Sequence, residues 1–261
     1  MNHLNIALAG LVLVIAGVDQ AKAEVLTFDF DSGLGPNFTV FDRSNSLYTV
    51  DTDGPTLRVS KVGDDGSYHP NQFISAGIKS AFEVGGDFSI TVDFALHDFP
   101  ATGEKQLNES LIAVMSSSGG VFSVLRFRLE TQNLIEVFAI PPSDPFGVTS
   151  SSLATGRYRI ARTGSTVTGS YASSGSSAFT SIASVGGFSD PMSIQLSSHQ
   201  GLNEIIAGRS TTSLDISFDN LIVEADTITG IVPEPTTSAL ALTALCLAIS
   251  RRRSFLDGRP V

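Results

Sequence analysis

DFSITVDFALHDF, residues 87–99, alternates with a period of two. Phe88, Ile90, Val92, Phe94 and Leu96 make one apolar row, and Ser89, Thr91 and Asp93 make the row between them. Successive side chains of a strand point to opposite faces, so this spacing predicts a strand with one buried face and one wet face. SVLRFRLE (123–130) repeats the pattern, with Leu125, Phe127 and Leu129 set against Arg126, Arg128 and Glu130. TSLDISFDN (212–220) repeats it again, with Leu214, Ile216 and Phe218 set against Asp215, Ser217 and Asp219.

Further strands are predicted near 25–30, 37–41, 46–50, 56–60, 72–79, 110–116, 133–140, 156–163, 166–172, 178–183 and 191–198. Turn-forming clusters separate them: DTDGP (51–55), GDDGS (63–67), SSSGG (116–120), PPSDP (141–145) and ASSGSS (172–177). No segment between the two ends has a long helical period, and there is no internal repeat. Many short strands at close spacing predict an all-β antiparallel sandwich or jelly roll over residues 24–226.

The composition agrees with an exported protein. Charged residues are only 16% of the 261, so Ser, Thr and carboxylates carry the solubility. The net charge is −10; the two ends together hold +2, which leaves −12 on residues 24–232. Such a surface repels phosphate backbones, so no nucleic-acid partner is expected. The single cysteine, Cys246, lies in the C-terminal apolar run, so the folded part can form no disulfide. A domain of about 200 residues buries enough core without one.

Both ends are read as targeting segments. Residues 6–18 form an apolar run of signal-peptide length, and Ala21-Lys22-Ala23 is an A-x-A cleavage pattern. Signal peptidase is therefore expected to cut between Ala23 and Glu24, which makes 1–23 a signal helix that is removed. The alternative is an uncleaved anchor, although the run is short for a span of about 20 residues. After a short linker, 227–232, VPEPTTSALALTALCLAISRRR (232–253) joins two prolines to a short apolar run and an arginine cluster. Prolines mark where a helix begins, and positive charge beside an apolar segment stays cytoplasmic. The order Pro233-Glu234-Pro235, apolar helix, Arg251-Arg252-Arg253 resembles a PEP-CTERM sorting tail over 233–261. The resemblance implies an exosortase as partner and transient anchoring in the inner membrane of a Gram-negative-type bacterium. Release to the cell surface or extracellular matrix would follow. An ordinary C-terminal membrane anchor is the alternative.

GGDFSITVDFALHDF (85–99), GRYRIARTGSTVTGSYASSGSSAFTSI (156–182) and LDISFDNLIVEA (214–225) together resemble strands of the concanavalin A-like lectin/glucanase sandwiches. That resemblance implies a glycan-binding or glycan-cleaving fold and leaves the choice open. The glucanase branch takes its acids from a Glu-x-Asp-x-Glu strand, which this chain lacks. Glu130 with Glu136, and Asp93 with Asp98, read more simply as solvated strand faces. Nucleophile-elbow, zinc-protease and phosphate-loop motifs are absent too. The expectation is a non-catalytic protein that associates with exopolysaccharide. An enzymatic alternative would need two carboxylates facing each other in the groove, and a third reading is a purely structural matrix protein.

The resemblance also implies a structural calcium ion between the first and last strands, with Asp29, Asp31 and Asp219 as ligands. Turn aspartates in DTDG and GDDG are alternatives. Sugar contacts favour exposed aromatic rings, and the chain has no Trp and four Tyr. Tyr68 and His69, in the polar loop GDDGSYHPNQ (63–72), are the candidate ligand-binding pair. Most of the 17 Phe are expected in the core, and His97 and His199 in turns or at the surface.

Overall fold

The computed structural model describes residues 23–44, 47–62, 74–100, 106–129, 132–140, 147–202 and 213–232. Residues 1–22 of the signal segment, Tyr68 and His69, Glu130, and the tail with Pro233, Glu234, Pro235 and Arg251–Arg253 lie outside them. So do the two terminal helices expected there. Among the described residues the chain is all strand and no helix.

The strands are β1 (Glu24–Phe28), β2 (Phe38–Asp42), β3 (Tyr48–Asp51), β4 (Leu57–Lys61) and β5 (Ile74–Asp98), then β6 (Gln106–Ser116), β7 (Val121–Leu129), β8 (Gln132–Ile140) and β9 (Gly147–Ser150). They continue as β10 (Thr155–Thr163), β11 (Thr166–Ser173), β12 (Thr180–Val185), β13 (Met192–Leu202) and β14 (Leu214–Thr229). All pairings are antiparallel. One layer runs β2, the first half of β5, β13, β6, β7, β8, β9. The other runs β3, β4, β14, the second half of β5, β10, β11, β12, with β1 beside β4 on the same edge of β14.

β5 belongs to both layers. Residues 72–79 and 87–99 were expected as separate strands, but they form one 25-residue strand that turns between the sheets near Gly85-Gly86. Gly86 has φ +68°, and a Cβ there would lie 2.5 Å from the Asp226 carboxylate, so the bend requires glycine. Asp226 Oδ2 accepts a hydrogen bond from the Asp87 N–H at 2.8 Å and ties β14 to the same bend. β14 accordingly continues to Thr229, three residues into the stretch read as a linker. Ile228 there is buried, and the Val232 N–H donates to Asn37 Oδ1 at 3.0 Å.

The core fills the space between the layers as the alternation requires. Ile90, Val92, Ile160, Ile216, Phe218 and Val223 are fully or almost fully buried in it. Each such side chain contributes about 1.5–3 kcal/mol of burial free energy. Tyr158 stacks on Phe94 with ring centroids 4.2 Å apart and donates its hydroxyl to the Ser110 carbonyl at 3.1 Å. The layers press together at Gly169, where a Cβ would stand 2.3 Å from Val137 and 2.8 Å from Val124.

One strand reverses its expected orientation. In β7 the inward row is Phe122, Val124 and Arg126, whereas Leu125 and Phe127 face outward. Arg126 is buried because its guanidinium finds acceptors at the inner edge. It donates to the Leu134 carbonyl (3.0 Å), the Leu153 carbonyl (3.4 Å) and Asn133 Oδ1 (3.3 Å). Burial lowers its pKa from the usual arginine value. A satisfied arginine can take an interior position that period-two hydropathy would assign to Leu or Phe. The displaced apolar residues then build something on the outside.

Candidate functional site

β13, β6, β7 and β8 lie side by side, and their outward rows share one face. β6 sends out Glu109, Leu111, Ala113 and Met115; β7 sends out Leu125 and Phe127; β8 sends out Glu136 and Phe138; β13 sends out Gln195 and His199. Leu111, Ala113 and Leu125 pack into a second apolar cluster, separate from the core, with Phe127 and Phe138 against it. Together these residues line a groove of about 560 Å³, with Arg43 and Ser75 at its border. An apolar floor with a few convergent polar groups is the make-up of a ligand site.

The polar groups are organised. Gln195 Nε2 donates to Ser197 Oγ at 2.9 Å, and Ser197 Oγ lies 3.2 Å from His199 Nε2. His199 Nδ1 stands 3.4 Å from Glu109 Oε2. The atom order is that of a nucleophile, base and acid series. Ser197, however, has no solvent exposure, so the series orients His199 against Glu109 and offers no accessible nucleophile.

Glu136 enters the groove from two strands away. Glu109 pairs with Phe127 on β7, and Glu136 pairs with Leu125 on the same strand. Strand spacing sets the two backbones about 10 Å apart across the sheet, with an offset of about 7 Å along it. Burial, reinforced by the charge of Glu109, raises the Glu136 carboxyl above the usual carboxylate range. Among the described residues no hydrogen bond or ion pair engages Glu136. Two carboxylates, Glu109 and Glu136, thus line the groove, and together they are not one of the pairs considered from the sequence. Asp93 stands 2.9 Å from Arg157 and accepts from Asn220 at 3.1 Å, and Asp98 accepts from the Ser213 hydroxyl.

Glu109 and Gln195 were not singled out from the sequence, and His199, expected in a turn or at the surface, is half-buried within β13. For Gln195 and His199 the one local signal is the polarity of SIQLSSHQ (193–200), which is too high for a central strand with two dry faces. His97, by contrast, lies 2.9 Å from Ser217 Oγ, away from the groove lining. Asn37 and Asn108, which open the Asn-x-Ser/Thr triplets NFT and NES of glycosylation acceptors, are both buried.

The first and last strands do bring the expected calcium ligands into one neighbourhood. β1 ends with Phe28 paired to Leu221, which sets Asp29 and Asp31 beside the β14 bulge at Asp219. Asp219 also pairs directly with Asp93. Burial raises its carboxyl, and the charges of Asp31, Asp93 and Asp29 raise it further, against the opposing Asn220 N–H bond at 2.7 Å. These are the hard oxygen donors that calcium takes. Yet Asp29 Oδ1 is turned to the Asp31 N–H at 3.2 Å, and among the described residues no three His, Cys, Asp or Glu side chains converge as a metal site does.

A family model described as protein of unknown function (DUF1583), C domain, matches residues 20–246. No curated protein matches the chain. Solved structures match its fold. One is from work on endo-acting O-glycanases, expressed by members of the human gut microbiota to initiate mucin breakdown. Its TM-score is 0.55 at 12% identity, over 79% of this chain and 99% of that one. A prokaryotic β-1,3-1,4-glucanase (lichenase) from a mouse hindgut metagenome gives 0.53 at 11% identity, over 78% and 99%. A variant of the GH43 protein BlXynB from Bacillus licheniformis gives 0.50 at 14% identity, over 76% of this chain, which spans only 39% of that protein. These likenesses establish the concanavalin A-like β-sandwich and nothing finer.

Proposed function

The chain belongs to the DUF1583 C-domain family, and from that premise we propose that it is an exported, non-catalytic protein that holds glycan in the groove over β6–β8. The observation that carries this reading is the groove floor, where Phe127 and Phe138 present aromatic surface between Glu109, Glu136 and His199. Ring faces stack on sugar C–H surfaces, and carboxylates and imidazole accept or donate to sugar hydroxyls. Two of the fold relatives named above are described as glycan-cleaving enzymes, which supports a saccharide as occupant. The test is a pull-down of the full-length protein with the exopolysaccharide of the producing bacterium. Leu125→Arg, which fills the floor with a charged chain, should abolish retention. Equal retention by both proteins would sink the reading.

Export and sorting belong to the same proposal and rest on the sequence alone. A signal peptidase site at Ala23/Glu24 and exosortase recognition of Pro233-Glu234-Pro235 would deliver the protein to the cell surface or matrix. Cells carrying the native tail, or Ala at 233–235, are to be fractionated. The native form should leave the inner membrane and the altered form should stay. A calcium ion at Asp29, Asp31 and Asp219 is likewise proposed, as the counter-charge for that acidic neighbourhood.

A second reading is favoured by one observation. A carboxyl raised by burial beside a second carboxylate is the arrangement by which glycoside hydrolases keep a proton for the leaving group. Glu136 would be that acid, and Glu109, beside His199, the partner. Binding stands first because the groove is built for contact along its floor, whereas the two Glu backbones sit two strands apart.

A further inference from the structure

We infer that the groove selects amine-bearing glycans, such as runs of free glucosamine, over neutral and uronic-acid glycans, with Glu136 as the anchor for the ammonium group. The inference rests on the reading that the groove binds glycan, and it names the class.

The argument is charge complementarity in a half-dry site. Glu136 is half-buried, and among the described residues it has no ionic or hydrogen-bonding partner. Its neighbours on the same face are Leu125 on β7, Val148 on β9, and Leu134 and Phe138 two residues to either side along β8, none of whose side chains can donate. A partly desolvated carboxylate left so is costly, and a cationic donor repays that cost more than a hydroxyl does. Glu109 adds negative charge from the far side of β7. Of the basic side chains lining the groove, His199 is already set against Glu109, and Arg43 is exposed, with its guanidinium 5.8 Å from the Phe41 ring centre. Glu136 is therefore the carboxylate open to a ligand's charge. A sugar ring on Phe138 would place an amino substituent within reach of it, and a ring bearing its own carboxylate would be repelled.

The test measures binding of three β-1,4-linked tetrasaccharides to the full-length protein by calorimetry: glucosamine, N-acetylglucosamine and glucose. Glucosamine should bind about tenfold tighter than either, the worth of one charge-assisted hydrogen bond. Glu136→Gln keeps the shape and removes the charge, and should reduce that preference to less than twofold, because glucosamine loses far more affinity than glucose does. A circular-dichroism melt controls for folding. Glucose binding equal to glucosamine binding, or a preference that survives Glu136→Gln, overturns the inference and leaves the groove reading standing. No binding of any of the three overturns both.

Discussion

Glu136 and Glu109 project into one groove from β8 and β6, with β7 between them, and burial, reinforced by the charge of Glu109, raises the Glu136 carboxyl above its ordinary value. That relationship has a measurable consequence for stability. A carboxyl whose folded pKa is raised binds more protons folded than unfolded, so its contribution is fully present in acid and is lost as pH rises through the folded value. Glu136→Gln should therefore melt higher than the parent at pH 8 and equal to it near pH 4. A gain of the same size at both pH values would refute the linkage.

The groove reading predicts binding without turnover. Incubation with β-glucans or mucin-type glycans should release no reducing ends above a heat-killed control. If ends are released, the acid-pair reading takes over. Glu136→Gln should then lower the rate by roughly 10²–10⁴, the usual contribution of a general acid.

Gly169 lies where the two layers are pressed together. Adding one methyl there, Gly169→Ala, must push Val137 and Val124 aside. It should cost about 1–3 kcal/mol by overpacking, read from urea denaturation with an unchanged slope.

Tyr158 offers a two-step measurement of the core. Tyr158→Phe removes only the hydroxyl with its bonds to Ser110 and should cost about 1 kcal/mol. Tyr158→Ala also removes the ring stacked on Phe94 and should cost about 3–5 kcal/mol. Near-equal losses would mean that the hydroxyl outweighs the ring.

Calcium has its own signature. Millimolar calcium should raise the melting temperature of the parent and leave Asp219→Asn unmoved. Without calcium, Asp219→Asn should be the more stable protein at neutral pH, because it relieves the repulsion from Asp31, Asp93 and Asp29. No calcium shift in the parent removes the ion from the proposal.

The alternation in 87–99 and 214–218 was enough to place those strands and name their buried rows, and the structure buries Phe88, Ile90, Phe94, Leu214 and Phe218 as read. The same rule misread 123–129, because an arginine with three acceptors is as good an interior residue as a leucine, and acceptors on β8 and at Leu153 are invisible from β7. β9, four residues long and half-exposed, lacked an apolar row to read.

By itself, then, the sequence determined the fold class, since the side-chain period of a strand is a local property that each segment writes into its own residues. It determined, too, that aspartates follow the first strand and lie within the last. The site was decided only by tertiary structure. Glu109, Glu136 and His199 are brought to one face by the registers of β6, β7, β8 and β13. Register between strands is a sum of packing and hydrogen bonds across the whole sheet, and no single strand contains it.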